Sequence, residues 1–151
     1  MEDKIVLLCP VCWNEVCDHT EDKIEIDEGF KEIIPLLNRK GFETTFCCAG
    51  HIIEEEIYQG VVPSLYISFY SIPIDPFTFD PKVIGEGFKW TYTNKTLRYS
   101  IDWAAKFKKY NGKSKSLSKK YNHELTDHDK ILMFDELDRK RKEILSWIKE
   151  Y

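Results

Sequence analysis

A chain of 151 residues with 42% hydrophobic and 14% aromatic side chains is the length of one domain with a real core; split into two, each half would be short of core. A formal net charge of -4 and a pI near 5.6 argue against wholesale nucleic-acid binding but leave room for a local basic patch. No apolar run approaches the roughly 20 residues that span a bilayer, and the acidic opening MEDKIVLLCP has only five apolar residues in a row, so no signal peptide is expected. The expected setting is a reducing cytoplasm. There, five cysteines with a Cys-x-x-Cys among them read as metal or redox chemistry before structural disulfides.

In chain order, KIVLL (4–8) is a short β-branched run that reads as a strand or the lead-in to a metal knuckle. DEGFKEIIPLLNRKG (27–41) reads as a helix: Phe30, Ile33, Ile34 and Leu37 share one face, with Asp27 as N-cap and Gly41 at C′. Pro35 should kink this helix or confine its regular part to one side. FETTFCC (42–48) reads as a strand, and HIIEEEIYQGVVP (51–63) as a loop or short helix. SLYISFYSI (64–72) alternates, with Leu65, Ile67 and Phe69 on one face, and reads as a central strand. Three prolines and two glycines make 73–87 a long loop. A hairpin follows, Lys89–Thr93 and Thr96–Ile101 about a turn at Asn94–Lys95, then a short helix from Trp103 to Lys109.

The stretch from Lys108 to His123 is rich in Lys, Ser, Asn and Gly and reads as a flexible surface loop (108–123). From Thr126, whose spacing to Asp129 suggests a capping box, the pattern turns helical. Phe134, Leu137, Ile144, Leu145 and Ile148 form the apolar stripe, and DRKRKE points outward. The expected architecture is one α+β domain over 1–151. It has an antiparallel sheet of about four or five strands, one helix after an N-terminal Cys-x-x-Cys knuckle and a long C-terminal helix.

All five cysteines and two of the four histidines fall in CPVCWNEVCDH (9–19) and FETTFCCAGH (42–51). Cys9-Pro-Val-Cys12 has the form of a zinc knuckle, in which a tight turn aims two sulfurs at one point. Tetrahedral zinc needs two more ligands. Cys48-x-x-His51, with Gly50 permitting a sharp turn, makes a good chelating loop, so the favoured zinc set is Cys9, Cys12, Cys48 and His51. Cys47 would replace Cys48 if the strand turned its other face to the knuckle, since adjacent strand residues point opposite ways. Cys17 and His19 are alternative ligands. On a strand they would stand about 6–7 Å apart, too far for one ion unless a turn intervenes. The competing readings are buried thiols without metal, and a nucleophilic Cys48 with His51 as its base. Apart from its place as an alternative ligand, His19 reads as solvated, His128 falls in the first turn of the last helix without a functional role, and His123 is given no role.

LNRKGFETTFCCAGH resembles a pattern found in small proteins of Gram-positive bacteria and their phages: Leu-Asn, Lys-Gly-aromatic, Thr, then Ser/Cys-Cys-x-Gly-His. Here these are Leu37, Asn38, Lys40, Gly41, Phe42, Thr45, Cys47, Cys48, Gly50 and His51. SLYISFYSIP resembles the strand that follows in that group. A phage origin would imply a regulator or inhibitor of a host system, working in the host cytoplasm. More remotely, the stretch resembles the Ser-Cys-Ser-Gly segment of the wybutosine-synthesising tRNA methyltransferase. Cys47 and Ala49 replace both serines, His51 follows the glycine, and no catalytic role is carried over.

Lys108, Lys109, Lys113, Lys115, Lys119 and Lys120, with Tyr110 and Tyr121 interleaved, are candidate nucleic-acid contacts, although a solvated loop is the favoured reading. The functional expectation is a small zinc-binding domain that binds a macromolecule or small ligand, with no membrane partner. The alternative is an RNA- or nucleotide-modifying enzyme with its site near Cys48, Gly50 and His51. Metal geometry separates them: a closed four-ligand site favours the binding domain, and a three-ligand site with water the enzyme.

Overall fold

The computed structural model describes residues 4–58, 61–101 and 125–151. Its strands form two antiparallel sheets. β1 (Ile5–Leu8) pairs with β2 (Ile24–Asp27), Ile5 opposite Asp27 and Leu8 opposite Ile24. The intervening Cys9–Lys23 is therefore a long loop at one end of this ladder. Ile24 and Ile26 alternate with Glu25 and Asp27, which is strand periodicity, so the helix does not begin at Asp27 as expected.

A 3-10 turn (Glu28–Phe30) leads into α1 (Ile33–Arg39). Because α1 begins at Ile33, Pro35 is its third residue, where no backbone donor would find an intrahelical acceptor. The proline thus sets where the helix starts instead of kinking it. Gly41 closes α1 at φ +94°. Its N–H bonds the carbonyl of Asn38, and the N–H of Phe42 bonds that of Leu37 at 2.9 Å.

β3 (Glu43–Cys48), β4 (Ser64–Ser71), β5 (Lys89–Thr91) and β6 (Thr96–Ser100) form the second sheet in the order β3-β4-β6-β5, with the short α2 (Glu54–Tyr58) between β3 and β4. β4 is an inner strand, as its alternation implies. Leu65, Ile67 and Phe69 of β4 are buried with Leu97 and Tyr99 of β6. The register sets Cys47 opposite Ile67 and Cys48 opposite Tyr66. Cys47 therefore shares the core face and Cys48 the opposite one. The sheet aromatics divide likewise: Tyr99 and Trp90 belong to the core side, while Tyr66 and Tyr70 stand on the other.

α3 (Asp127–Glu150) opens with the Thr126–Asp129 capping box. Its buried stripe is Met133, Leu137, Ile144 and Ile148. Phe134 lies at the exposed rim. DRKRKE is not wholly outward, since Lys140 is 3% and Arg141 6% exposed. Both ends of these long side chains are satisfied. The Lys140 ammonium donates to the Glu86 carbonyl at 2.7 Å, pairs with Glu143 at 2.9 Å and sits 4.9 Å over the Tyr99 ring. Hydropathy periodicity treats every charge as solvated and so misses this.

Phe42, 1% exposed, is an aromatic hub, edge-on to Phe69, Trp147 and Tyr151 at 6.0, 5.2 and 5.0 Å. It joins α1, the sheet and the end of α3. Phe42→Ala should cost about 3–5 kcal/mol in denaturant unfolding, whereas Phe46→Ala, four residues on in β3 and 73% exposed, should cost under about 0.5 kcal/mol.

Candidate metal centre

Cys9 directly follows β1, and the chain there turns back on itself. The Trp13 N–H bonds the Cys9 carbonyl at 2.7 Å, the Cys9 N–H bonds the Asn14 carbonyl at 3.0 Å, and the Val11 N–H points at Cys9 Sγ at 3.4 Å. Closing the turn puts Trp13 at φ +63°, a conformation that favours glycine. The indole packs against the core, which offsets that strain. Beyond it the chain bends at Glu15–Val16 and again at Asp18. These bends supply the turn that a strand would lack, and they bring Cys17 and His19 back to the knuckle. The sulfurs of Cys9, Cys12 and Cys17 and a ring nitrogen of His19 all lie within 4.8 Å of one another. Three thiols and an imidazole this close are a Cys3His set that could hold a metal ion, and the same set of four ligands serves tetrahedral zinc.

The loop is tied to the rest of the protein. Arg39 of α1 donates to the Cys12 carbonyl at 3.2 Å, Lys31 pairs with Glu15 at 2.5 Å, and Lys23 donates to the Glu15 carbonyl. The thiols differ in acidity. The Cys12 amide, with help from that of Val11 and against the cost of burial, brings Cys9 down to about 7. At Cys17 the His19 amide lowers the pKa, but burial and the Cys9 and Cys12 sulfurs together outweigh it and the net shift is upward. No disulfide joins any of the five cysteines.

Cys48 and His51 belong to a second group, with Asp27. The structure thus divides the expected set. Cys9 and Cys12 meet Cys17 and His19, while Cys48 and His51 meet a carboxylate that sequence reasoning placed at a helix cap. Asp27 makes no such side-chain cap. Its Oδ2 accepts the Ala49 N–H at 2.8 Å and lies 3.5 Å from His51 Nε2. Gly50, at φ +100°, makes the turn that swings His51 back. Cys47 joins neither group. Burial first, then the charges of Asp27 and Cys48, push its thiol up to about 12. The alternation of Ile24 to Asp27 is the signal that would have made Asp27 a strand residue in place of a helix cap; its position next to Ala49 and His51 is set by tertiary contacts that no local pattern carries.

The lysines at 108, 109, 113, 115, 119 and 120, His123, the short helix at 103–109 and the loop at 108–123 lie outside the described residues. Among the described residues no helix is long and apolar enough to cross a membrane. No protein-family model, no curated protein and no solved structure matches the chain.

Thiolate ligands must shed protons to bind metal. Above about 7, Cys9 is already deprotonated and adds nothing to proton release; below it, Cys9 contributes one further proton per metal bound. Metal affinity should therefore fall with falling pH, and more steeply by at least one proton below that point, since a protonated His19 would have to shed its proton as well. Competition titrations at several pH values test this, and a slope that stays constant through neutrality would contradict it. Cys17→Ser should weaken binding at this centre, whereas Cys47→Ser should leave it unchanged.

Proposed function

We propose that this protein is a zinc-binding domain in which the Cys9, Cys12, Cys17 and His19 centre is structural and the rest of the surface does the binding. The observation that carries the reading is the convergence of three sulfurs and an imidazole within 4.8 Å of one another, as many protein ligands as a closed structural zinc site uses. The loop it would clamp buries little of its own: Val11 and Val16 are exposed. An ion in the centre supplies the order that packing does not.

The surface offered to a partner is the face of the four-stranded sheet turned away from α3. Phe46 and Tyr70 stand there 73% and 71% exposed, and the Arg98 guanidinium lies 4.9 Å over the Tyr66 ring. Exposed aromatic rings beside a guanidinium suit recognition of a macromolecule. The resemblance of Leu37 to His51 to bacterial and phage proteins supports a regulator or inhibitor of a host system.

Zinc removal tests the structural role. A chelator should lower Tm, because at a free zinc level a thousandfold above Kd the ion contributes about 4 kcal/mol. Cys12→Ser should reproduce the loss without chelator. An unchanged Tm after native mass spectrometry has shown the metal gone would overturn the reading.

A further inference from the structure

We propose that Asp27, Cys48 and His51 form a second metal site, a three-ligand centre for a zinc-like divalent ion whose fourth position opens into a cleft. One oxygen, one sulfur and one ring nitrogen lie within 4.8 Å of one another. Asp27 Oδ2 and His51 Nε2 are 3.5 Å apart. That is long for a hydrogen bond. It is close to the about 3.3 Å that separates an oxygen and a nitrogen on one tetrahedral zinc with bonds of about 2.0–2.1 Å. A thiolate completes one face of the tetrahedron, and its charge with that of Asp27 would balance a divalent cation.

The site is built on held backbone. The Asp27 carboxylate is oriented by the Ala49 N–H, a partner that leaves its remaining lone pairs for a metal. The Ala49 carbonyl is gripped in turn by Arg141. The ligands come from the end of β2, the end of β3 and the Gly50 turn, so their spacing is set by tertiary structure.

Cys48 and His51 line a cleft of about 190 Å³ together with Glu56, Val62, Pro63 and Tyr66. This is the space left for a fourth ligand, water or a small anion. It distinguishes this centre from the knuckle, where four protein ligands close the sphere. Three protein ligands and one exchangeable position are what zinc needs to act as a Lewis acid on a bound molecule. The Glu56 carboxylate and the Tyr66 hydroxyl belong to the residues that would surround that molecule.

The test uses the full chain, stripped of metal and titrated with cobalt(II), followed by its visible spectrum and by native mass spectrometry. Two ions should bind per chain. Cys48→Ser and Asp27→Asn should each bind one, with circular dichroism unchanged. Azide should alter the spectrum of the wild type and leave that of Cys48→Ser untouched, because only an open position accepts it. A single bound ion that Cys48→Ser retains would overturn the proposal, as would a second ion that survives both substitutions or a wild-type spectrum indifferent to azide. A single ion kept by Cys17→Ser but lost by Cys48→Ser would instead sink the knuckle reading and support this one.

Discussion

The backbone of one residue, Ala49, holds the layers in register. The N–H of Ala49 is taken by Asp27 at the end of β2, and its carbonyl by Arg141 of α3. Arg141 is buried, donates also to Asp138, and lies 5.6 Å from the Phe134 ring centre. A guanidinium out of water is costly unless its donors find acceptors. Hydrogen bonds to charged groups contribute about 1.5–3 kcal/mol each, more than neutral ones. With both its N–H and its C=O engaged by ions, Ala49 cannot drift, and neither can the Gly50 turn and His51 that follow. Gly29 completes the fit: a Cβ there would stand 3.0 Å from both the Ala49 Cβ and the Arg141 Cδ.

Much of the fold could be read from the chain. The β4 alternation, the capping box at Thr126 and Gly41 behind α1 are local signals, and the structure carries all three. What escaped depends on distant partners. β2 is four residues long and is stabilised by β1 across a fifteen-residue loop, and no local pattern reports that pairing. Lys140 and Arg141 look like solvent-facing charges until the Glu86 and Ala49 carbonyls are seen above them.

The candidate centres show the same limit. Residue types and the Cys-x-x-Cys spacing marked the right segments. Which segment closes with which was decided by the bend at Asp18 and by the β1–β2 pairing. Without the bend, Cys17 and His19 are too far apart to share an ion, and the knuckle must look to Cys48. With it, the knuckle is complete within eleven residues, and Cys48 and His51 turn to Asp27 instead. The choice between Cys47 and Cys48 is a matter of one strand face, settled by Ile67 opposite the first and Tyr66 opposite the second.

The β1–β2 ladder has a further consequence. Cys9 follows its last rung at Leu8–Ile24, and Asp27 stands on its first, opposite Ile5. Four residues of strand, on the order of 10 Å, separate the two ends. The ladder is thus a short beam with one ligand cluster at each tip. The two clusters share no side chain, and the four backbone rungs are the direct covalent and hydrogen-bonded link between them. Were ions to occupy both, any influence of one on the other carried by those rungs would be equal in both directions, as thermodynamic reciprocity requires.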